Sequence, residues 1–216
     1  AEVHRVGETT VFRVKTANQD LGEFTMSLTG DYNVLNATAV VALSSVLQLP
    51  MTSVKSALAS FTGVKRRQEI LGEPGGILVI EDFAHHPTAV RETLRALKGK
   101  YGKRKLWAIF EPRSATSRRK IFQQEYAAAF ASADAVCIAE AFDQSRISDD
   151  ERFSSQQLVN DLRANGQTAQ VLPGADAIVA HLAAQAKPGD LVVIMSNGGF
   201  DNIYHKLFVA LGASVQ

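Results

Sequence analysis

The sequence predicts an α/β protein with a Rossmann-like, mainly parallel sheet flanked by helices. From about residue 75, short β-rich apolar segments alternate with longer segments of helical period, which is the pattern of βαβ units. The short segments are almost continuously apolar, as is typical of strands covered on both faces. The predicted strands are 76–81, 105–110, 133–140, 169–172 and 190–195, and the predicted helices are 87–97, 117–132, 154–164, 175–185 and 202–211.

The first sixty residues have a different pattern. Segments 8–14 and 22–28 alternate apolar and polar residues, which predicts a pair of strands with one solvated face. Helices are expected over 33–47 and 52–61, separated by Pro50. This part is too short to form a strong core alone, so we predict that residues 1–62 are the end of an earlier domain. Residues 63–216 are then predicted to be a second domain.

Composition excludes several classes of protein. The 23 Lys and Arg residues nearly balance 22 Asp and Glu residues, which disfavours a nucleic-acid-binding protein. The single Cys137 lies in an apolar segment, so we expect a buried core residue in a reducing compartment. No apolar stretch approaches the roughly 20 residues that span a bilayer. The first residues do not resemble a signal peptide and lack an initiator Met, so we expect a fragment of a cytoplasmic protein without a membrane partner.

Ligands of an open parallel sheet gather at the carboxyl ends of its strands. The loop after the first predicted strand contains Asp82, His85 and His86 before Pro87, which suits the first turn of a helix. The free N–H groups of that turn favour an anion, and Asp82 could accept hydrogen bonds from ribose hydroxyls. The alternative is that Asp82 and one histidine only cap the helix. Adjacent histidines in an extended segment point in opposite directions, so no metal site is expected.

Two further loops carry candidate ligand-binding residues. Arg113 follows the second predicted strand, and its planar guanidinium matches carboxylate or phosphate. Arg118 and Arg119 follow in the next predicted helix, and Arg119 is expected on its solvated face. The loop after the last strand, 196–200, pairs two glycines with Ser196 and Asn197 and could bring backbone N–H groups close to a ligand. The sequence lacks three common motifs: the dinucleotide-binding Gly-x-Gly-x-x-Gly, a phosphate loop and the nucleophile elbow Gly-x-Ser-x-Gly.

Three segments, in order, resemble the Mur ligases. The first, Gly30-Asp31-Tyr32-Asn33-Val34-Leu35-Asn36-Ala37, is similar to the family's Gly-x-His-Asn-x-x-Asn-Ala, with Tyr32 in place of the usual His. The second is similar to the family's Phe-x-Gly-x-x-x-Arg junction and extends from Phe61 to Arg67. The third, Asp82-Phe83-Ala84-His85-His86-Pro87-Thr88, is close to Asp-Tyr-x-His-His-Pro-Thr of the L-alanine-adding members.

This resemblance implies that residues 1–62 are the end of a central ATPase domain and that residues 63–216 are the carboxyl-terminal domain. It implies ATP binding by Asn33, Asn36, Arg67, Asp82, His85 and His86, and substrate binding by Arg113, Ser114, Ser196, Asn197, Gly198 and Gly199. ATP would phosphorylate the lactyl carboxylate of UDP-N-acetylmuramate, and an amine would attack the acyl phosphate. The phosphate loop and the Mg²⁺ ligands are expected in the missing part of the central domain, so the fragment alone should be inactive. No catalytic or metal-binding residue is assigned here.

Within the family, segments 110–114 and 195–200 are most similar to the branch that joins UDP-N-acetylmuramate to the recycled tripeptide L-Ala-γ-D-Glu-meso-diaminopimelate. The L-alanine-adding branch typically has Gln-Pro-His-Arg and Gly-Ala-Gly at these places. The expected partners are UDP-N-acetylmuramate, the tripeptide and the protein's own missing domains. Two alternatives remain, an L-alanine-adding ligase and a non-catalytic module of the same fold that binds a nucleotide or a partner.

Overall fold

The computed structural model describes residues 2–7 and 9–212. The chain forms two compact units, one ending at Val64 and the other beginning at Lys65. The boundary predicted from the sequence lies two residues earlier, between residues 62 and 63.

The first unit is a small antiparallel sheet with two helices. Strands pair in the order β1-β2-β3, and the core packs around Phe12 and Phe24, whose rings stack at 5.8 Å. The sequence did not predict β1 because its four residues are all exposed and show no alternation. The elements are β1 (Val3–Val6), β2 (Thr9–Lys15), β3 (Asp20–Met26), α1 (Asp31–Val46) and α2 (Met51–Ser60).

The second unit confirms the predicted α/β class. Its six strands have the order β4-β5-β9-β6-β7-β8, and all neighbours are parallel except β4 and β5. The strands are β4 (Glu69–Gly72), β5 (Leu78–Asp82), β6 (Leu106–Phe110), β7 (Ala135–Ala139), β8 (Thr168–Leu172) and β9 (Leu191–Met195). The helices are α3 (Pro87–Lys100), α4 (Gln123–Ala129), α5 (Ser155–Ala164), α6 (Ala175–Gln185) and α7 (Ile203–Ala210).

Helices cover both faces of this sheet. One face packs against apolar residues of α3, α4 and α5, and the other against those of α6 and α7. Every residue of β5, β6, β7 and β9 is buried, which explains why these strands lack alternation. Cys137 lies in the second of these cores, where burial raises the pKa of its thiol.

Two sequence predictions need correction in this unit. The predicted helix 117–132 is interrupted, since only a 3₁₀ turn, Lys120–Phe122, precedes α4. The residues before that turn form other hydrogen bonds. Ser117 donates its N–H to the hydroxyl of Ser114, and Arg119 forms an isolated β-bridge with Arg152. Strand β4 was not predicted, because its four residues end at a glycine and form an antiparallel edge.

Candidate functional site at the carboxyl edge of the sheet

The site is defined by three neighbouring strands. In the register of the parallel pairs, Met195 lies beside both Asp82 and Phe110, so β5, β9 and β6 end at the same level. The loops that follow them therefore leave the sheet together. This brings together the candidate residues after each strand, 82–87, 111–116 and 196–200.

Arg113 is held on three sides. Its guanidinium lies over the Phe142 ring, with Cζ 3.7 Å from the ring centre, and Nη1 is 3.3 Å from Oε1 of the buried Glu111. On a third side, a Cβ added to Gly198 would lie only 2.2 Å from Nε of Arg113. The side chain of Arg113 remains 31% exposed, so donors of its planar fork can still meet a carboxylate.

Glu111 also organises the loop after β9. Its Oε2 accepts a hydrogen bond of 2.5 Å from the hydroxyl of Ser196, and that hydroxyl accepts from the Gly198 N–H at 2.9 Å. Ser196 is completely buried. Its side chain therefore supports the loop. Substrate binding by this loop, expected through its backbone N–H groups, stays a prediction.

Ser114 likewise has an internal role. Its hydroxyl donates to the Ser117 hydroxyl at 2.8 Å and accepts from the Ser117 N–H at 3.0 Å. The residue is buried. It closes the turn after Arg113, so in this arrangement it shapes the site without offering its hydroxyl to a substrate.

Asn197 and Gly199 complete the predicted substrate-binding loop. Within the part of the chain that the structure describes, the buried Oδ1 of Asn197 has no hydrogen-bond partner. An unpaired buried acceptor is costly, so a small donor such as a buried water molecule would be stabilised there. A Cβ at Gly199 would meet no atom within 4 Å, so only Gly198 is confined by its surroundings.

Arg66 is a central residue that the sequence analysis did not select. It donates from Nε to Glu81 at 2.6 Å and from Nη2 to the carbonyl oxygens of Ser196 and Gly198, at 3.0 and 2.8 Å. It thus joins the ends of β5 and β9. Its neighbour Arg67, which the sequence analysis did select, is exposed and lies over the Phe83 ring at 5.1 Å. The adjacent arginine pair was the available signal, but nothing local distinguishes the two.

Asp82 is occupied by the protein itself. Its oxygens accept from the N–H groups of Gln68 and Ala84 at 2.9 and 2.7 Å, and the residue is only 3% exposed. Burial raises the pKa of its carboxyl, and these hydrogen bonds offset the increase in part. A ribose would have to compete with these bonds. Neither bond caps α3, which begins at Pro87, and ribose binding by Asp82 stays a prediction.

The two histidines differ in their roles. Nδ1 of His86 accepts from the Thr88 N–H at 3.3 Å and caps α3, which agrees with the capping alternative. His85 pairs Nδ1 with the Phe83 carbonyl at 3.0 Å, and its own carbonyl accepts from the Tyr126 hydroxyl at 2.6 Å. The Nε2 side of His85 therefore remains available to a ligand.

The other predicted ATP-binding residues lie in the first unit. Asn33 stands in the first turn of α1 and donates from Nδ2 to the Thr29 carbonyl at 2.7 Å. Asn36, one turn later, is exposed. Across residues 2–7 and 9–212, no group of three or more His, Cys, Asp or Glu side chains could hold a metal ion, and no helix is long and apolar enough to cross a membrane.

Comparison with known proteins gives one consistent family. The family model for the Mur ligase, glutamate ligase domain, matches residues 66–198. The UDP-N-acetylmuramate–L-alanine ligase of Desulfitobacterium hafniense is 35% identical over 82% of this chain and 39% of its own length. The enzyme of the same name from Desulfotalea psychrophila is 33% identical over 93% of this chain and 44% of its own. Six further curated relatives, 29% to 34% identical, share that name. This chain spans less than half the length of these relatives.

Solved structures lead to the same family. A murein peptide ligase from Psychrobacter arcticus is 35% identical, with a TM-score of 0.69 over 99% of this chain and 44% of that one. A domain from a UDP-N-acetylmuramate:L-alanyl-γ-D-glutamyl-meso-diaminopimelate ligase of Haemophilus ducreyi is also 35% identical, with a TM-score of 0.52 over 68% of this chain and all of that one. The family-model match, residues 66–198, contains the carboxyl edge described above except Gly199 and Phe200. The chain therefore belongs to the Mur ligase family and contains its glutamate ligase domain.

Proposed function

We propose that this chain is the carboxyl-terminal part of an ATP-dependent ligase that forms an amide bond between UDP-N-acetylmuramate and an amine-bearing acceptor. The observation that supports this most directly is Arg113, a half-buried guanidinium that Glu111 and the Phe142 ring contact at the mouth of the sheet. Amino acids and peptides carry a carboxylate near the reacting amine. A planar, preoriented guanidinium binds such a carboxylate through two donors and so orients the amine for attack.

L-Alanine is the first candidate acceptor. The eight curated relatives described above are named UDP-N-acetylmuramate–L-alanine ligases. The segments after β6 and β9 had predicted the tripeptide instead, and the relatives' names give that prediction less support.

The tripeptide L-Ala-γ-D-Glu-meso-diaminopimelate remains the second candidate. It is favoured by the Haemophilus ducreyi domain, whose name specifies this substrate, and by the murein peptide ligase from Psychrobacter arcticus, both 35% identical. A tripeptide carries additional carboxylates, which need paired donors when they lose water. Arg113 supplies such donors at the end of β6.

ATP would supply the phosphoryl group that activates the acid. In this chain Arg67 is the residue proposed for its phosphates, because its guanidinium is exposed and lies over the Phe83 ring. His85 and, from the first unit, Asn33 and Asn36 are the further proposed contacts. Mg²⁺ is the proposed accompanying cation, with its ligands in the part of the relatives' length that this chain does not span.

Steady-state kinetics of the full-length enzyme test the proposal, with L-alanine and the tripeptide as competing acceptors. Arg113→Lys keeps the charge and loses the fork, so acceptor use should weaken by roughly 1–3 kcal/mol while the KM for ATP stays constant. Preference for L-alanine in the wild type would establish the first candidate, and preference for the tripeptide the second. Unchanged acceptor kinetics in Arg113→Lys would refute the role of Arg113.

A further inference from the structure

Phe142 is an exposed aromatic residue with an unusual position. It follows β7 in the loop at the carboxyl edge, is 43% exposed and packs in none of the apolar cores of the described residues. Its backbone N–H donates to the carbonyl of Pro112 at 3.0 Å, which ties this loop to the segment just before Arg113. Hydrophobic burial therefore does not explain why an aromatic ring occupies this place.

The ring instead forms one face of the Arg113 environment. The guanidinium carbon lies 3.7 Å from the ring centre, and Gly198 leaves free the space that a side chain would take from the Arg113 stem. Glu111 contacts Nη1 and so limits rotation of the guanidinium. Stacking on a ring restricts the guanidinium plane but leaves its edge donors free, because a cation–π contact uses only the face.

We infer that Phe142 is a positioning residue for acceptor binding, which acts by holding the plane of Arg113 so that its free donors meet the acceptor carboxylate. This inference rests on the proposed function and adds a residue from a fourth strand end, that of β7. Without the ring, Arg113 retains its charge and its contact with Glu111. The guanidinium plane can then rotate, and part of the binding free energy is spent on ordering the side chain again.

The test compares Phe142→Leu, which keeps apolar bulk, with Phe142→Tyr, which keeps the aromatic face, in the full-length enzyme. Phe142→Leu should raise the KM for the preferred acceptor about 3- to 30-fold, the range of cation–π energies, with the KM for ATP unchanged. Phe142→Tyr should have the same KM for the acceptor as the wild type. Val209→Ala, which shortens another exposed apolar side chain in α7, is the control and should change neither constant.

Three other outcomes would overturn the inference. If Arg113→Lys raises the acceptor KM but Phe142→Leu does not, Phe142 has no positioning role and the proposed function stands. If neither variant changes the acceptor KM, Arg113 does not bind the acceptor and the proposed role of Arg113 fails too. If Phe142→Leu raises the KM values for ATP and acceptor together, and both values are also raised in Phe142→Tyr, the ring serves only the local fold.

Discussion

Gly198→Ala tests the acceptor site most sharply, because it changes the position of Arg113 without touching that residue. The added Cβ would lie 2.2 Å from Nε, 2.3 Å from Cδ and 2.9 Å from Cζ of Arg113. Non-bonded heavy atoms settle near 3.5 Å, so the guanidinium must move by roughly 1 Å. The displaced atoms belong to a flexible side chain, so Arg113 moves and the backbone stays in place.

The expected result is a loss of acceptor use with little loss of stability. A misplacement of about 1 Å can cost up to ~100-fold in rate, so we expect kcat/KM for the acceptor to fall by about 10- to 100-fold, which is ~1.4–2.7 kcal/mol. Gly198 does not have a positive φ, so alanine brings no backbone strain and reduces the entropy of the unfolded chain. The melting temperature should therefore stay the same or rise slightly.

The assay is steady-state kinetics for acceptor and ATP together with thermal unfolding of the same preparations. Gly174→Ala is the matched control, since this glycine also follows a strand of the same edge and a Cβ there meets no atom within 4 Å. It should leave both kinetic constants unchanged. If Gly198→Ala keeps the acceptor kcat/KM within twofold of wild type, the guanidinium position seen here does not matter for acceptor binding.

Three further predictions follow from other parts of the chain. Arg66→Lys should lower the free energy of unfolding by about 1–3 kcal/mol in urea titrations, because three hydrogen bonds between strand ends depend on its guanidinium. Arg67→Lys, at an exposed residue, should leave the free energy of unfolding unchanged and raise the KM for ATP instead. The pKa of Asp134 is lowered, since hydrogen bonds from the Leu106 N–H and Lys98 outweigh burial, which acts to raise it. The Asp134 carboxylate therefore stabilises the fold at pH values above its ordinary pKa of 3.8, and this stabilisation is lost as the pH falls through the lowered pKa. Asp134→Asn should lower the free energy of unfolding by about 0.5–1 kcal/mol at pH 7, a modest value because the side chain is partly exposed. Equal losses at pH 7 and pH 2 would contradict this. Hydrogen exchange should be faster in the first unit than in β5, β6 and β9, because its core is small and α1 exposes apolar residues; equal protection in both units would refute this.

The sequence alone predicted much of the second unit because its signals are local. Three of its strands, β6, β7 and β9, are continuous apolar segments, and α6 occupies the predicted span, Ala175–Gln185. Proline and glycine at strand–helix junctions marked the loops in which Arg113 and Gly198 lie. Local signals failed at β4, which pairs with β5, and at residues 117–119, where Ser117 bonds to the Ser114 hydroxyl and Arg119 forms a bridge with Arg152.

The family resemblance was also readable from the sequence, because its motifs are contiguous. The proposed acceptor could not be read from the sequence in the same way. It depends on a few polar residues, and their orientation is set by neighbouring loops. The segments after β6 and β9 predicted the tripeptide, whereas the names of the curated relatives favour L-alanine.

Only the tertiary structure decided which residues meet. Strand β9, last in the sequence, lies between β5 and β6, and this order places Gly198 against Arg113 and within reach of Arg66. The same order makes Ser196 a buried partner of Glu111 and brings Phe142 over the guanidinium from the next strand. No local pattern encodes these contacts, because each joins segments far apart in sequence through the pairing of strands, and strand pairing depends on the packing of the whole sheet.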